Sequence, residues 1–455
     1  MGERRQRARE RGAVEGRPVD GKLGVMLVGV GGAVATTFMA GVELMRRGFG
    51  QPVGSLSQLG RLVVEGEKRE RIKDLLPLAS VEDLVFGGWD VFGEDCYEAA
   101  VGAGVLSKEH LGVVREALRE VEVLRGVFER RFVSSLEGDY TKEGEYGSLK
   151  EAVSLIREDI RSFRERSGVE RVVMINCAST EAYVDSEAGR RVHGSVEDFE
   201  VEDFERALEE NRHHPAIPPS VLYAYAAIEE GVPYANGTPS LGAESGALKE
   251  LATSRGVALC GKDFKSGQTF IKSALAPAIK ARMLGMEGWF STNILGNRDG
   301  LVLEEPANFK SKEITKRSVL DAILEPEVYG ELYGELHHRV EINYYPPRGD
   351  AKEGWDNIDI FGWLGYPMQI KVNFLARDSI LAAPMVLDLA LFLDLAQREG
   401  LGGVQRWLSF YFKSPMEEEG DGRVEHDLFV QLLMLRERLR EMAGLGSLCD
   451  PSSLR

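Results

Sequence analysis

Apolar and polar positions fall into short blocks along this chain, and the period of the pattern changes from block to block. Residues 23–28, Leu-Gly-Val-Met-Leu-Val, are uncharged, too short for a helix and followed by glycines, so they predict a buried strand. Gly29, Gly31 and Gly32 come next, and then a helical pattern that runs to about Arg47. Further strands are expected at 61–64, 84–86, 171–175 and 257–259. Between them, charge-laced amphipathic stretches predict helices near 108–130, 149–166 and 202–211, with a polar, glycine-containing insertion at 137–147. This alternation of strand and helix favours an α/β architecture around a largely parallel sheet.

The texture shifts near Phe270. Apolar runs lengthen, Trp289, Tyr344, Tyr345, Trp355 and Trp363 appear, and Pro346-Pro347-Arg348-Gly349 marks a tight loop. Alternating stretches at 339–345 and 368–374 read as strands of a second sheet, and 379–397 as a long apolar helix. Asp388 and Asp394 interrupt that helix, which fits burial between layers or subunits better than a bilayer. The uncharged run 23–42 is broken by its glycines and is read as strand, turn and helix, and the Arg- and Glu-containing residues 1–20 as a disordered basic tail.

Composition narrows the function. A chain of 455 residues with 43% apolar content can bury a full core and hold two or three domains. A net charge of -17 argues against nucleic acid or a membrane surface as partner, so basic residues for an anionic substrate must be concentrated locally. Cys96, Cys177, Cys260 and Cys449 are dispersed, with no CxxC, which excludes a disulfide framework and a zinc site and suits the cytoplasm. The adjacent pairs His213-His214 and His337-His338 make no metal-ligand pattern, and no metal site is assigned.

Three segments carry candidate chemistry. In Gly29-Val30-Gly31-Gly32-Ala33-Val34, a strand turns into a helix through glycines, the context a dinucleotide pyrophosphate needs. Val34 stands where GxGxxG has its third glycine, so the match is partial. The acidic partner of the ribose is sought at Glu65 or Glu67, after the second strand-like run. Ser266-Gly267-Gln268-Thr269 opens a helix with Ser266 at its N-cap, a natural phosphate seat. Between Gly261 and Arg317 there are ten Lys/Arg against six Asp/Glu, a surplus of 10 − 6 = 4. Within it, Lys312 and Lys316 are spaced to share a helix face. Clustering and burial of lysines favour the neutral amine, which makes a workable general acid or base near neutral pH. These residues alone describe an NAD enzyme acting on a phosphorylated substrate.

At the same positions the chain closely resembles the myo-inositol-1-phosphate synthase family, from Leu23 to about Glu441. The resemblance rests on ordered motifs. They begin with the glycine loop, Gly88-Trp89-Asp90, Ala178-Ser179-Thr180-Glu181 and Glu230-Gly231-Val232-Pro233-Tyr234-Ala235-Asn236-Gly237-Thr238-Pro239. They continue through Leu295-Gly296-Asn297-Arg298-Asp299-Gly300, Phe309-Lys310-Ser311-Lys312-Glu313-Ile314 and Gly349-Asp350-Ala351-Lys352. Asp378-Ser379-Ile380-Leu381-Ala382 and Phe412-Lys413-Ser414-Pro415 complete the set.

The resemblance implies a Rossmann-type NAD domain, residues 21–269 plus 376–455, with an inserted α+β catalytic and tetramerisation domain at 270–375. It implies an isomerase of inositol and phospholipid biosynthesis, cytoplasmic and homotetrameric. Glucose 6-phosphate is oxidised at C5 with NAD, enolised, closed by aldol attack on C1 and reduced again. Residue by residue, Lys312 matches the lysine that handles the C5 hydroxyl proton, and Lys413 the one that assists oxidation and stabilises oxyanions. Lys352 and Lys316 match lysines around the phosphate and the aldol chemistry, and Asp263 the carboxylate partner of the catalytic lysine. Ser266, Gly267, Gln268 and Thr269 match the phosphate seat. Gly29, Gly31, Gly32, Ala33, Val34, Asp90, Ala178, Ser179, Thr180, Asp263, Asn297 and Asp378 fall on the cofactor side, and a monovalent or divalent cation is a possible auxiliary.

The chain departs from eukaryotic members at Ala33-Val34-Ala35, where they carry Asn-Asn-Gly, and at Ser179 and Asn176, which replace an asparagine and a tryptophan. These changes touch NAD contacts and cation dependence more than the reaction. The alternatives are an NAD(P)-dependent sugar-phosphate dehydrogenase, which would release NADH, and a non-catalytic NAD-binding protein. Retention of Lys352 and Lys413, far apart in sequence, speaks against both.

Overall fold

The computed structural model describes residues 19–182, 200–305, 308, 319–417 and 424–447. The tail at 1–18 and the lysine-rich stretch at 309–318, with Lys310, Lys312 and Lys316, lie outside the described residues. So does Cys449.

Among the described residues thirteen strands form three sheets. They are β1 (Leu23–Val28), β2 (Arg61–Glu65), β3 (Lys68–Arg71), β4 (Leu84–Asp90), β5 (Glu122–Arg125), β6 (Arg171–Asn176) and β7 (Tyr234–Asn236), then β8 (Ala258–Gly261), β9 (Gly285–Leu295), β10 (His337–Tyr344), β11 (Ala351–Phe361), β12 (Pro367–Arg377) and β13 (Gly403–Val404). The first sheet runs β13-β8-β7-β6-β1-β4-β5 with every neighbouring pair parallel. Apart from the short β13 this is the doubly wound dinucleotide-binding order, in which β1 is central and the strand order reverses beside it. The apolar run at 23–28 is fully buried because helices cover both faces of the sheet.

The principal helices are α1 (Ala33–Arg46), α2 (Lys108–Arg119), α3 (Leu149–Ser167), α4 (Val201–Glu210), α5 (Pro219–Glu229), α6 (Gly267–Ala281), α7 (Asp378–Arg398) and α8 (Leu428–Met442). One core cluster joins α1 and α7 on one face of the sheet, and a second joins α3 and α5 on the other. The helix expected across 108–130 ends at Arg119, and its last part is β5. The second sheet runs β10-β9-β11-β12, with α6 packed on its inner face through Ala276, Ile279, Trp289, Ile358 and Ile360.

By length and hydropathy α7 is the one described helix able to cross a bilayer, but 78% of its apolar window is buried in the protein. Asp388, fully buried in it, accepts from Ser55 Oγ (2.5 Å), Leu56 N (2.7 Å), Ser57 N (2.9 Å) and the Tyr411 hydroxyl (2.9 Å). Asp394 pairs with Arg171 and Arg398 at 2.9 and 3.0 Å. Two satisfied carboxylates make α7 a core helix that ties the turn at Ser55 and the segment ahead of Lys413 to the sheet.

Candidate active site

The carboxyl ends of the parallel strands open into a cavity of 660 Å³ that also takes in residues of the second sheet. At its centre is the turn after β1. Gly29 has φ +82°, and a Cβ there would lie 2.8 Å from the Ala178 Cα, so only glycine lets this turn approach the β6 loop. The Gly32 N–H donates to Gly29 O at 2.9 Å, and α1 starts at Ala33 with no side-chain cap at Gly32. Its first-turn amides, which have no partner within the helix, are left to the cavity and fit a pyrophosphate.

The strand expected to carry the ribose acid is not part of the main sheet. β2 and β3 form a separate two-stranded ribbon, so Glu65, at the end of β2, and Glu67 lie off the main sheet. Of the two strands beside β1, β4 comes first along the chain, and it ends at Asp90. Asp90 Oδ2 accepts from Gly31 N at 2.8 Å, and Oδ1 from Val91 N and Phe92 N at 2.8 and 3.2 Å. The ribbon inserted between β1 and β4 lengthens the spacing between the glycines and Asp90, which makes Asp90 a candidate for the ribose at the end of the next sheet strand. Replacing Asp90 by Ala is expected to weaken NAD binding by about tenfold or more, measured by calorimetric titration. An unchanged affinity would remove Asp90 from the ribose.

Next to the turn, Ala178 N donates to Asn176 Oδ1 (3.1 Å), and Ser179 and Thr180 line the cavity. Sequence reasoning did not assign roles to two buried groups here. Glu181 reaches the cavity and accepts from Ser220 Oγ (2.5 Å) and Ser220 N (2.9 Å), and burial pushes its carboxyl up to about 7. Asn308 donates to Thr180 O (2.7 Å) and Phe132 O (3.0 Å), four residues ahead of Lys312. Only its place in the motif could have drawn attention to Glu181, and nothing in the local pattern marks Asn308.

A buried lysine–aspartate pair and a partly buried one flank the start of α6. Segment 412–416 lies antiparallel against the β8–α6 loop, through Lys262 N to Ser414 O (2.8 Å) and Lys413 N to Asp263 O (2.7 Å). That pairing brings Lys413 Nζ to 2.9 Å from Asp263 Oδ1, across 150 residues of sequence. The second pair forms because β11 and β12 are antiparallel: Ala351 faces Arg377, so Lys352 Nζ meets Asp378 Oδ2 at 2.6 Å. A Cβ on Gly267 would sit 3.2 Å from Asp378 Oδ1 and 3.9 Å from Lys352 Cδ, so the α6 N-terminus abuts this second pair.

Ser266 occupies the N-cap but its side chain makes no cap bond, which leaves the first amides of α6 uncapped. Ser266, Asp263, Lys413, Asp378 and Asn297 all line the cavity with the glycine turn. Lys352, Gly267, Gln268 and Thr269 do not line it; Lys352 is joined to it through Asp378, and the Gln268 side chain is turned into the second sheet. Lys265, the residue ahead of Ser266, points away to Gln431 on α8, and burial pushes its amine down to about 7. Among the described residues no group of three or more His, Cys, Asp or Glu converges to hold a metal ion. The arrangement joins a dinucleotide turn, an anion-binding helix start and buried lysines.

The sequence model of the myo-inositol-1-phosphate synthase family, an NAD-binding family, matches residues 23–440. The chain belongs to that family. It is 49% identical over 428 residues to an inositol-3-phosphate synthase of Bacteroides thetaiotaomicron, covering 94% of this chain and 97% of that one. To an inositol-3-phosphate synthase of Oryza sativa it is 33% identical over 451 residues, covering 93% and 86%. The crystal structure of an inositol-3-phosphate synthase from Caenorhabditis elegans superposes with a TM-score of 0.85 at 28% identity, over 95% of this chain and 88% of that one. A synthase-related protein from Thermotoga maritima shares the fold at 22% identity and a TM-score of 0.71, over 94% and 99%. Membership explains why lysines and carboxylates so distant in sequence meet beside a dinucleotide turn.

Proposed function

We propose that this chain converts D-glucose 6-phosphate into 1D-myo-inositol 3-phosphate as an NAD-dependent isomerase. The observation that carries this reading is the cavity itself: the Gly29 turn for a dinucleotide and the Lys413–Asp263 pair open into one space, with Lys352–Asp378 against its wall. The chemistry NAD supplies when bound is removal of a hydride at C5 and its return after ring closure. The chain's residues do the rest. The first amides of α6 and Lys352 hold the phosphate, and Lys413, oriented by Asp263, stabilises oxygen anions as C5 is oxidised and C1 is attacked. Lys312 handles the C5 hydroxyl proton and Lys316 assists the aldol step, on the strength of the family match. The decisive assay is glucose 6-phosphate with a tenth of its molar amount of NAD. Full conversion to inositol phosphate supports the isomerase, whereas one NADH released per sugar oxidised would establish the dehydrogenase alternative.

The two sheets support a division into an NAD-binding part, 21–269 plus 376–455, and an inserted catalytic part, 270–375. Dispersed free cysteines at 96, 177 and 260 support the cytoplasm as its place. We further propose a homotetramer. The outer face of the second sheet carries Phe290, Trp355 and Leu375, which are 37%, 49% and 63% exposed, an apolar surface that calls for a partner. Light scattering at micromolar concentration is expected to give four chains, and a fully active monomer would refute it.

A further inference from the structure

Gln268 stands in the first turn of α6, yet its carboxamide faces away from the cavity. Its Nε2 lies 3.1 Å from each of three oxygens: Thr292 O on β9, and Trp355 O and Asp356 Oδ2 on β11. All three are acceptors, so the amide has one orientation; reversed, Oε1 would meet oxygen on every side. Oε1 is left buried with no hydrogen-bond partner, a cost the turn bears to keep Nε2 in place. Gly354 makes the room, since a Cβ there would lie 2.9 Å from Nε2.

Asp356 is the one side chain among the three acceptors, and it is itself held. Its Oδ1 accepts from Trp289 Nε1 (2.7 Å) and Ser291 Oγ (2.6 Å), which aims Oδ2 at Gln268. One turn along α6, Lys272 is buried over the Trp289 ring (5.7 Å), with its Nζ 2.7 Å from His338 Nε2. The contacts from Gln268 and Lys272 therefore fasten the same face of α6 to the second sheet.

We propose that Asp356 is a positioning residue for the phosphate seat: it acts through Gln268 to lock the first turn of α6, so that the turn's backbone amides face the substrate phosphate. This rests on the reading of 266–269 as that seat. Gln268 then serves the phosphate through its main chain while its side chain is the anchor. A seat built from main-chain amides depends on their aim, because hydrogen bonds weaken steeply once misaligned. Asn at 356 would keep the Trp289 and Ser291 bonds but turn an N–H toward the Gln268 N–H. Reversing Gln268 to relieve that contact would drive Oε1 against Thr292 O and Trp355 O, so the turn must shift either way.

The test measures KM for glucose 6-phosphate, the competitive Ki of inorganic phosphate and the Kd for NAD in Asp356→Asn, Gln268→Met and the double variant. Asp356→Asn is expected to raise KM and the phosphate Ki together by about tenfold, with kcat within about threefold and NAD affinity unchanged. Gln268→Met should do the same, and the double variant should be no worse than Gln268→Met alone, because Asp356 acts only through Gln268. Independent, multiplying effects would overturn the proposal, as would a fall in kcat and Tm with KM unmoved. If Asp356→Asn does not fold, Gln268→Met decides alone: an unchanged KM and Ki overturns the proposal. Inorganic phosphate that fails to compete in the unsubstituted enzyme would instead remove the seat reading itself.

Discussion

Replacing Lys413 by Met is expected to lower kcat by about a thousandfold while NAD affinity stays within about threefold. Lys413 and Asp263 are 3% and 2% exposed, and their side chains meet at 2.9 Å at the cavity. Substitution removes the ammonium proposed to stabilise oxygen anions and takes the Lys413 charge away from the buried Asp263 carboxylate. Breaking a buried pair from one side costs about 3–5 kcal/mol, so Tm should fall as well. The two effects separate in Lys413→Met/Asp263→Asn, where both charges of the pair are removed. That double variant should recover most of the lost stability and none of the activity. Recovery of turnover along with Tm would show that Lys413 is structural.

Gly29→Ala is expected to weaken NAD binding by about a hundredfold. A left-handed backbone costs an alanine roughly 1–2 kcal/mol, and forcing a methyl into a packed contact typically adds about 1–3 kcal/mol. Here the contact is with backbone, 2.8 Å from the Ala178 Cα, so no side chain can give way. Relief must come from separating the β1 turn from the β6 loop, the two walls of the dinucleotide cleft. Calorimetric titration with NAD checks this, and a Kd within threefold of the parent would show that the turn does not seat the dinucleotide.

Much of the dinucleotide half was legible in the pattern. β1, its glycines and α1 fall where the uncharged run and the turn put them, because burial on both faces forces a continuous apolar strand. The second sheet was half read. β10 and β12 showed alternation, but β9 and β11 did not, since their inward faces carry Ser291, Asn293, Lys352 and Asp356 for polar contacts. A strand that buries carboxylates and lysines looks like a loop to any hydropathy reading. β5 was swallowed by a predicted helix because no glycine or proline separates Arg119 from Glu122. The inserted ribbon kept Asp90 from being singled out as a ribose candidate, because it lengthens the spacing from the glycines. The meeting of Lys413 with Asp263 lies beyond local pattern altogether: a pairing across 150 residues is set by topology, and the resemblance implied a lysine partner for Asp263 without saying which.

The central claim is that hydride leaves the sugar and returns to the same carbon within one enclosed site. A ketone held in the cavity between the dinucleotide turn and the buried Lys413 is expected to be reduced before it exchanges with free dinucleotide. The measurement is the fate of the label in glucose 6-phosphate deuterated at C5, turned over with catalytic NAD and read by NMR and mass spectrometry of the product. The account predicts inositol phosphate that keeps its deuterium on the former C5, with no labelled NADH in solution. Deuterium found in the free nicotinamide pool, with a product that has lost it, would contradict the account.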